Sequence, residues 1–271
     1  NLAVLEHRQN NNDHALALTE QAANIFVNKQ QWLYYGSTLL LKAGIYEFTE
    51  AYEKAGVFYQ KSKDILEEHA FTYTTGYIDV LKSYAIYQAY EGKPAAADSL
   101  HQLALDLVKK FPLDNHYHTK SVLNSLGNMH SITGNISEAE QTYLAAKQLY
   151  EQQGDTLNIE YVILLQNLAG LYVYSKNEKQ AHYYYDKSNR LNQNYIRQVY
   201  AGASANTRAL LQGSLFDGIS QYFSFALENN LPIHLADKVE DILLNIKNLS
   251  LDYTTETKFY AENKTDQNLY D

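Results

Sequence analysis

The chain contains no cysteine, and it has only 12 glycines and three prolines in 271 residues. The absence of cysteine excludes thiol catalysis, disulfides and Cys-ligated zinc within this chain. Because glycine and proline interrupt helices, their scarcity predicts long helices. No apolar run approaches the roughly 18 residues that a membrane-spanning helix needs. The first residues contain neither Met nor a signal-type core, so we expect the chain to begin at a fragment boundary or a processed end.

Positive charge is also scarce, with 22 Lys and Arg against 31 Asp and Glu and a net charge of −9. A nucleic-acid partner is not expected, because no basic stripe is visible to meet phosphates. Tyrosine, by contrast, is abundant, with 25 residues. Its ring can be buried while its hydroxyl stays in water, which suits both half-buried helix faces and binding surfaces. A cysteine-free chain does not fix the compartment; we expect the cytoplasm, with the periplasm as the alternative.

Small residues recur every 42 positions and form three columns. These columns are Ala43, Ala85, Gly127 and Ala169; Ala55, Ala97, Ala139 and Ala181; and Ser62, Ala104, Ala146 and Ser188. Three columns of larger residues keep the same register: Leu39, Leu81, Leu123 and Leu165; Tyr59, His101, Tyr143 and Tyr185; and Ile65, Leu107, Leu149 and Leu191. Chance would not hold six columns in register, so the chain contains an internal repeat of four units.

Within each unit the spacing predicts two antiparallel helices. In the third unit the apolar faces consist of Leu123, Leu126, Gly127 and His130, then Ala139, Tyr143, Ala146 and Leu149. Between them, Gly134 and Asn135 predict a turn, with Asn135 or Ser137 as the N-cap of the second helix. The small residues let the two backbones approach at the helix crossing, and the large columns fill the space beside it.

This order of Leu, Leu, Gly, Ala, Tyr and Ala resembles the tetratricopeptide repeat (TPR). The period of 42 exceeds the usual value of about 34, which adds roughly one turn to each helix. It is similar to the long-period subclass found in kinesin light chains and in bacterial sensor and effector proteins. The resemblance implies an all-α fold, a right-handed superhelical solenoid of antiparallel helix pairs that binds proteins or peptides.

The pattern predicts three segments. Residues 29–192 form the four repeats. Residues 1–28 form a partial unit, with a first helix over residues 1–10 and a second helix capped by Asp13, whose inward residues are Ala15, Thr19, Ala22 and Ile25. Residues 193–271 form a helical extension, because the register fails at Phe223, which is too large for the alanine column.

The extension is similar to the helical connector that precedes the caspase-like domain of bacterial CHAT proteins. The similarity lies in "FSFALENN" (Phe223–Asn230) and "ILLNIKNLSL" (Ile242–Leu251). In that family a His and a Cys of the following domain are catalytic. The resemblance therefore implies that this chain is a non-catalytic, regulatory N-terminal part, which is able to contact its own C-terminal domain.

The resemblance also implies a peptide-binding concave face, lined by the first helix of each unit. The candidate site residues on and beside it are Lys82, Tyr90, Asn124, Asn128, Gln166, Asn167 and Tyr174. The other lining positions are Ser37, Leu40, Gly44, Glu47, Asp79, Ile86, Ala89, Ser121, Ser131, Ile163, Gly170 and Val173. Amide side chains at such a face can bond a peptide backbone without reading its sequence. The occupant is a partner protein or the chain's own C-terminal segment.

Other kinds of site have weaker support. A carboxylate clamp of the chaperone-binding kind needs several cations, and Lys82 is the only one among these positions. His116 and His118 have no third metal ligand at useful spacing and are expected to lie in a helix-entry loop. His101 is expected to be a half-buried packing residue. No catalytic motif is present, so we expect no enzymatic activity, cofactor or metal. In "YYYD" (Tyr183–Asp186) we expect Tyr185 to point inward and Tyr183 and Tyr184 to stack against the neighbouring repeat. The alternative function is a carbohydrate- or small-molecule-binding subunit, in which these tyrosines form an aromatic platform.

Overall fold

The computed structural model describes residues 2–8, 10–110, 115–200 and 224–225. Within them the chain forms only α-helices. These are α1 (Leu2–Arg8), α2 (Asn12–Asn28), α3 (Trp32–Phe48), α4 (Tyr52–Glu68), α5 (Thr75–Tyr90), α6 (Pro94–Lys110), α7 (Asn115–Ile132), α8 (Ile136–Gln152), α9 (Ile159–Tyr174) and α10 (Glu178–Tyr200). None of the helices among these residues is long and apolar enough to cross a bilayer.

Consecutive helices pack as adjacent pairs: α3 with α4, α5 with α6, α7 with α8 and α9 with α10. The predicted all-α solenoid of helix pairs is confirmed. The chain divides into two compact units, residues 1–155 and residues 156–271. In the first unit α5 also contacts α3 and α7, so the first helices of successive pairs form one layer. The second helices of the pairs begin at Tyr52, Pro94, Ile136 and Glu178, 42 residues apart.

The small-residue columns lie where the paired helices cross. The column of Ala55, Ala97, Ala139 and Ala181 is 0% exposed throughout. Gly127 has an additional role, because a Cβ added to it would lie 2.5 Å from two ring carbons of Tyr143. Glycine at this position therefore makes room for the ring of Tyr143.

Enlarging one of these buried alanines is expected to overpack the crossing. We predict that Ala139→Leu lowers the free energy of unfolding by about 1–3 kcal/mol. Ala145 lies on the same helix but is exposed, so Ala145→Leu is a matched control that should change stability by less than about 0.5 kcal/mol. Thermal melts of both variants measure the difference. If the Ala139→Leu protein melts at the same temperature as the wild type, a close helix crossing at Ala139 is contradicted.

Each first helix is followed by a tight turn with a left-handed residue. Glu50, Gly92, Gly134 and Lys176 occupy equivalent places in the four units, with φ of 59°, 70°, 79° and 57°. Glycine adopts this conformation without a steric penalty, whereas residues with a Cβ do not. The sequence thus has the optimal residue in two of the four turns.

Substitutions at two equivalent turn residues, Gly134 and Glu50, should change stability in opposite directions. Gly134→Ala should lower the free energy of unfolding by about 1–2 kcal/mol, because alanine strains the left-handed backbone. Glu50→Gly should have the opposite sign and stabilise the protein by up to about 1 kcal/mol. Chemical denaturation of both variants tests the pair, and destabilisation by both would argue against strain at these turns.

The helix N-termini differ from the prediction. Asn11, and not Asp13, precedes α2, and its side chain donates to Glu6 instead of capping the helix. Asn135 does stand before α8, but its amide donates to Thr133 and makes no cap bond. The Asn135 N–H donates to the carbonyl of His130 at 2.8 Å, which closes the C-terminal end of α7.

Two burial predictions also need correction. Ile25 of α2 is exposed and Ala22 is half-buried, while Ala23 lies in the core. His101 is fully buried, where a half-buried residue was expected. The helix α10 continues past residue 192 to Tyr200 without a break. Most of the predicted extension, including both segments of the CHAT resemblance apart from residues 224 and 225, lies outside the described residues.

Candidate functional site

The candidate site residues fall on three first helices. Lys82 and Tyr90 lie on α5, and Asn124 and Asn128 lie on α7, all in the first unit. The other three, Gln166, Asn167 and Tyr174, lie on α9 in the second unit. We call the layer formed by α3, α5 and α7 in the first unit the first-helix face. That all seven residues serve one ligand stays a prediction.

The ammonium group of Lys82 forms hydrogen bonds with two other side chains of the first-helix face. Its Nζ donates to Asp79 Oδ1 at 2.8 Å and to Ser121 Oγ at 2.6 Å. The second bond runs from α5 to α7 and links neighbouring helix pairs. A cation that is already paired offers less to a ligand carboxylate, so Lys82 helps to fix the surface on which a ligand would lie.

Tyr90 and Asn128 meet at the hydroxyl of Tyr143, which comes from α8. Tyr143 donates its hydroxyl proton to Oδ1 of Asn128. Burial, followed by the nearby hydroxyl of Tyr90, raises the pKa of Tyr143 above its usual range. The Asn128 oxygen is therefore used within its own helix pair, and its amide nitrogen is the group that can donate to a ligand.

The first-helix face is open at several predicted lining positions. Ser37 and Asp79 are exposed, and Tyr90 is 66% exposed. A Cβ added to Gly44 would meet no atom within 4 Å. One lining position is wrong: Ala89 is only 6% exposed, because it belongs to the hydrophobic core.

In the second unit, Tyr174 is 70% exposed at the end of α9. Tyr185 points inward, as predicted, and lies 5.6 Å from the ring of Phe225. Tyr184 is buried and stacks on Tyr172 at 5.5 Å, within its own helix pair and not against a neighbouring repeat. Only Tyr183 of the predicted aromatic platform is exposed, which weakens the carbohydrate alternative.

A buried ion pair was missed by the sequence analysis. Lys120 on α7 is 2% exposed, and its Nζ lies 2.5 Å from Asp155 Oδ2 and 4.3 Å from the centre of the Tyr150 ring. The equivalent positions in the neighbouring units are the buried Ile78 and Val162. A lysine in an apolar column was the signal in the sequence that could have revealed it.

His101 is a second buried polar group. Its Nε2 lies 3.0 Å from Ser125 Oγ and its Nδ1 lies 3.2 Å from the carbonyl oxygen of Ala97. Burial is the main cause that lowers the pKa of His101 to about 4. The ring is therefore neutral at pH 7 and joins α6 to α7 through Ser125.

Tyrosine hydroxyls are also paired with carboxylates. Tyr59 donates to Glu47 Oε2 at 2.5 Å, and Tyr77 donates to Glu67 Oε1 at 2.5 Å. Burial raises the pKa of Glu47 even though the Tyr59 bond opposes this. Two cavities, of about 230 Å³ and 490 Å³, adjoin Glu47 on the first-helix face.

No group of three His, Asp or Glu side chains suited to a metal occurs in the described ranges. His116 and His118 lie at the start of α7, where a loop was predicted. The side chain of His116 is outside the described residues, so the pair itself is untested.

The chain matches no known protein-family model and no curated protein. Solved structures do resemble it. A Rap protein complexed with competence and sporulation factor has a TM-score of 0.62 at 14% identity, covering 93% of this chain and 74% of that one. BtubC (BKLC) from P. vanneervenii has a TM-score of 0.55 at 19% identity, and the match covers 75% of this chain and 80% of BtubC. A Podosopora anserina kinesin light chain with nearly identical TPR-like repeats has a TM-score of 0.54 at 13% identity. This match covers 72% of this chain and 93% of the kinesin light chain. The chain therefore has a TPR-like helical repeat fold.

Proposed function

We propose that the chain is a non-enzymatic scaffold that binds a protein or peptide on its first-helix face. The main support is the state of that face: the Lys82 bonds fix α5 against α7, while Gly44 and Tyr90 remain open to solvent. A rigid surface with exposed aromatic and polar groups binds an extended segment without losing much conformational entropy of its own. The similar Rap protein is complexed with competence and sporulation factor, which agrees with a binding function.

The experiment selects peptides from a random display library on the full chain and then measures their affinities for two variants. Gly44→Trp places a large ring over the first-helix face, and the open space at Gly44 lets the fold accept it. Ala145→Trp is the matched control on the exposed side of α8. We expect Gly44→Trp to weaken binding at least about ten-fold by steric blocking, and Ala145→Trp to leave it unchanged.

Selected peptides that bind the Gly44→Trp variant as tightly as the wild type would refute a ligand site on this face. If only Ala145→Trp weakens peptide binding, the ligand site lies on the second helices. Both variants should be melted first, so that a loss of binding is not confused with a loss of fold.

We further propose that the chain consists of 42-residue repeats and is the regulatory part of a bacterial protein with a CHAT-type effector domain. The proposal rests on the register of the six sequence columns and on the resemblance of residues 223–230 and 242–251 to the CHAT connector. The full-length gene sequence and its neighbours test it: a downstream effector domain with a His and a Cys is expected, whereas a lipoprotein signal with glycan-utilisation neighbours would support the carbohydrate alternative.

A further inference from the structure

A pocket of about 490 Å³ lies at the ends of two first helices. Its lining consists of Glu47 in the last turn of α3, Tyr52 at the start of α4, Tyr87 and Tyr90 in the last turn of α5, and Glu91, the C-cap of α5. We call these five residues the Tyr–Glu pocket. All five lie in the first unit of the chain.

Two helix C-termini give this pocket a negative potential. The last carbonyls of α3 and α5 carry the negative ends of their helix dipoles. Neither helix has a basic residue in its last turn to neutralise that charge. The positive N-terminal end of α4, at Tyr52, offsets one of these dipoles, but the carboxylates of Glu47 and Glu91 carry full negative charges, so a cation is the preferred occupant on electrostatic grounds.

Glu47 has a neutral partner and no cationic one. Its Oε2 accepts the hydroxyl proton of Tyr59 at 2.5 Å, and it forms no ion pair within the described part of the chain. Burial raises its pKa, as expected for a carboxylate that lacks an opposite charge. Glu91 lies 3.7 Å from Lys93 Nζ, but the lysine is largely exposed and such a pair is worth less than about 1 kcal/mol.

The aromatic walls are partly fixed and partly exposed. Tyr87 is buried, donates to the carbonyl oxygen of Tyr52 at 2.9 Å and packs 5.3 Å from the ring of Tyr59. Gly56 keeps this geometry, because a Cβ there would lie 2.6 Å from the Tyr87 hydroxyl oxygen. Tyr90 and Tyr52 are exposed at the rim. Tyrosine faces attract organic cations, by about 0.5–1 kcal/mol at exposed sites and about 2 kcal/mol when water is excluded.

We propose that the Tyr–Glu pocket binds the basic side chain of an arginine or lysine in the protein ligand. This inference rests on the proposed function and adds the chemistry of one ligand residue to it. A guanidinium or ammonium group can pair with Glu47 and Glu91 while its carbon chain lies against the tyrosine rings. A metal ion is less suited, because the tyrosine faces supply none of the oxygen ligands that hard cations require.

The experiment titrates the full chain with two small probes and follows its amide resonances by NMR. The first probe is Nα-acetyl-arginine methylamide, and the second is its citrulline counterpart, which has the same shape without the charge. We expect the arginine probe to bind at least about ten-fold more tightly than the citrulline probe, with shifts at the ends of α3 and α5.

Variants then locate the site. Glu47→Gln keeps an oxygen to accept the Tyr59 proton but removes the charge, so arginine affinity should fall about five- to ten-fold. Tyr90→Ala should have a similar effect, whereas Tyr73→Ala, an exposed tyrosine just before the other end of α5, should have none. Thermal melts confirm that each variant is folded. Equal binding of the two probes, or an unchanged affinity in Glu47→Gln, would overturn the assignment.

The two proposals can fail separately. If library peptides bind the first-helix face without preferring arginine or lysine, and the arginine probe does not bind, the Tyr–Glu pocket is refuted and the scaffold function stands. If the arginine probe binds as expected but no peptide is selected, the pocket stands and the peptide-binding function is refuted.

Discussion

Asp155→Ala is expected to lower the free energy of unfolding by about 3 kcal/mol, because it leaves the ammonium group of Lys120 buried without its counter-ion. The side chain of Lys120 is 3% exposed and that of Asp155 is 35% exposed, so water that enters the vacated space replaces only part of the lost attraction. The tyrosine ring at 4.3 Å supplies only part of the lost attraction. Chemical denaturation of the variant and the wild type gives the difference directly.

A double-mutant cycle provides the control. Lys120→Ile introduces the residue found at the equivalent position 78, and it removes the buried charge together with the need for a partner. Replacing a buried pair by apolar groups is often neutral or stabilising. The Lys120→Ile/Asp155→Ala protein should therefore be more stable than Asp155→Ala alone. A loss below about 1 kcal/mol in Asp155→Ala, with no rescue in the double variant, would contradict a charged buried pair.

The second large effect is a loss of stability in mild acid that depends on His101. Burial holds the folded-state pKa of His101 at about 4, below the value of 6.5 for an exposed histidine. A group with a lowered folded pKa contributes its full stability above the unfolded pKa. That contribution is lost as the pH falls from 6.5 towards 4, because protons then bind to the unfolded chain first. The shift corresponds to about 3 kcal/mol.

The variant His101→Tyr isolates this contribution, since tyrosine occupies the equivalent position in the other three units. Unfolding free energies of both proteins are measured between pH 7 and pH 4. The wild type should lose more stability than the variant over this range, although Asp98, Lys82 and His130 also act on the ring. Parallel pH profiles for the two proteins would show that His101 is not buried in its neutral form.

The repeat and its helices were predictable from the sequence, because small residues at helix crossings leave a strict periodic pattern. Ala139, Tyr143 and Ala146 are buried as the pattern required. The cap residues were not predictable in the same way. Asn11 and Asn135 have side chains suited to capping, but neighbouring polar groups compete for their hydrogen bonds.

The polar interactions of the candidate site depend on pairs of residues far apart in the sequence. Lys82 meets Ser121 across 39 residues, and Lys120 meets Asp155 across 35. The 42-residue columns indicate which residue differs in type from its equivalents in the other units. They do not indicate which distant residue it bonds to in the fold. The Tyr–Glu pocket was not predictable from the columns either, because its lining comes from three helices. Its two carboxylates, Glu47 and Glu91, also occupy different positions in their repeats.

Hydrogen–deuterium exchange of the full chain, with and without a selected library peptide, tests the central claim most directly. We expect the peptide to slow amide exchange in α3, α5 and α7, with the strongest protection around Gly44, Tyr90 and Asn124. We also expect no change in α6 or in α4 beyond its first turn, where Tyr52 lines the Tyr–Glu pocket. Protection confined to α4 and α6, with unchanged exchange in α3, α5 and α7, would contradict a ligand site on the first-helix face.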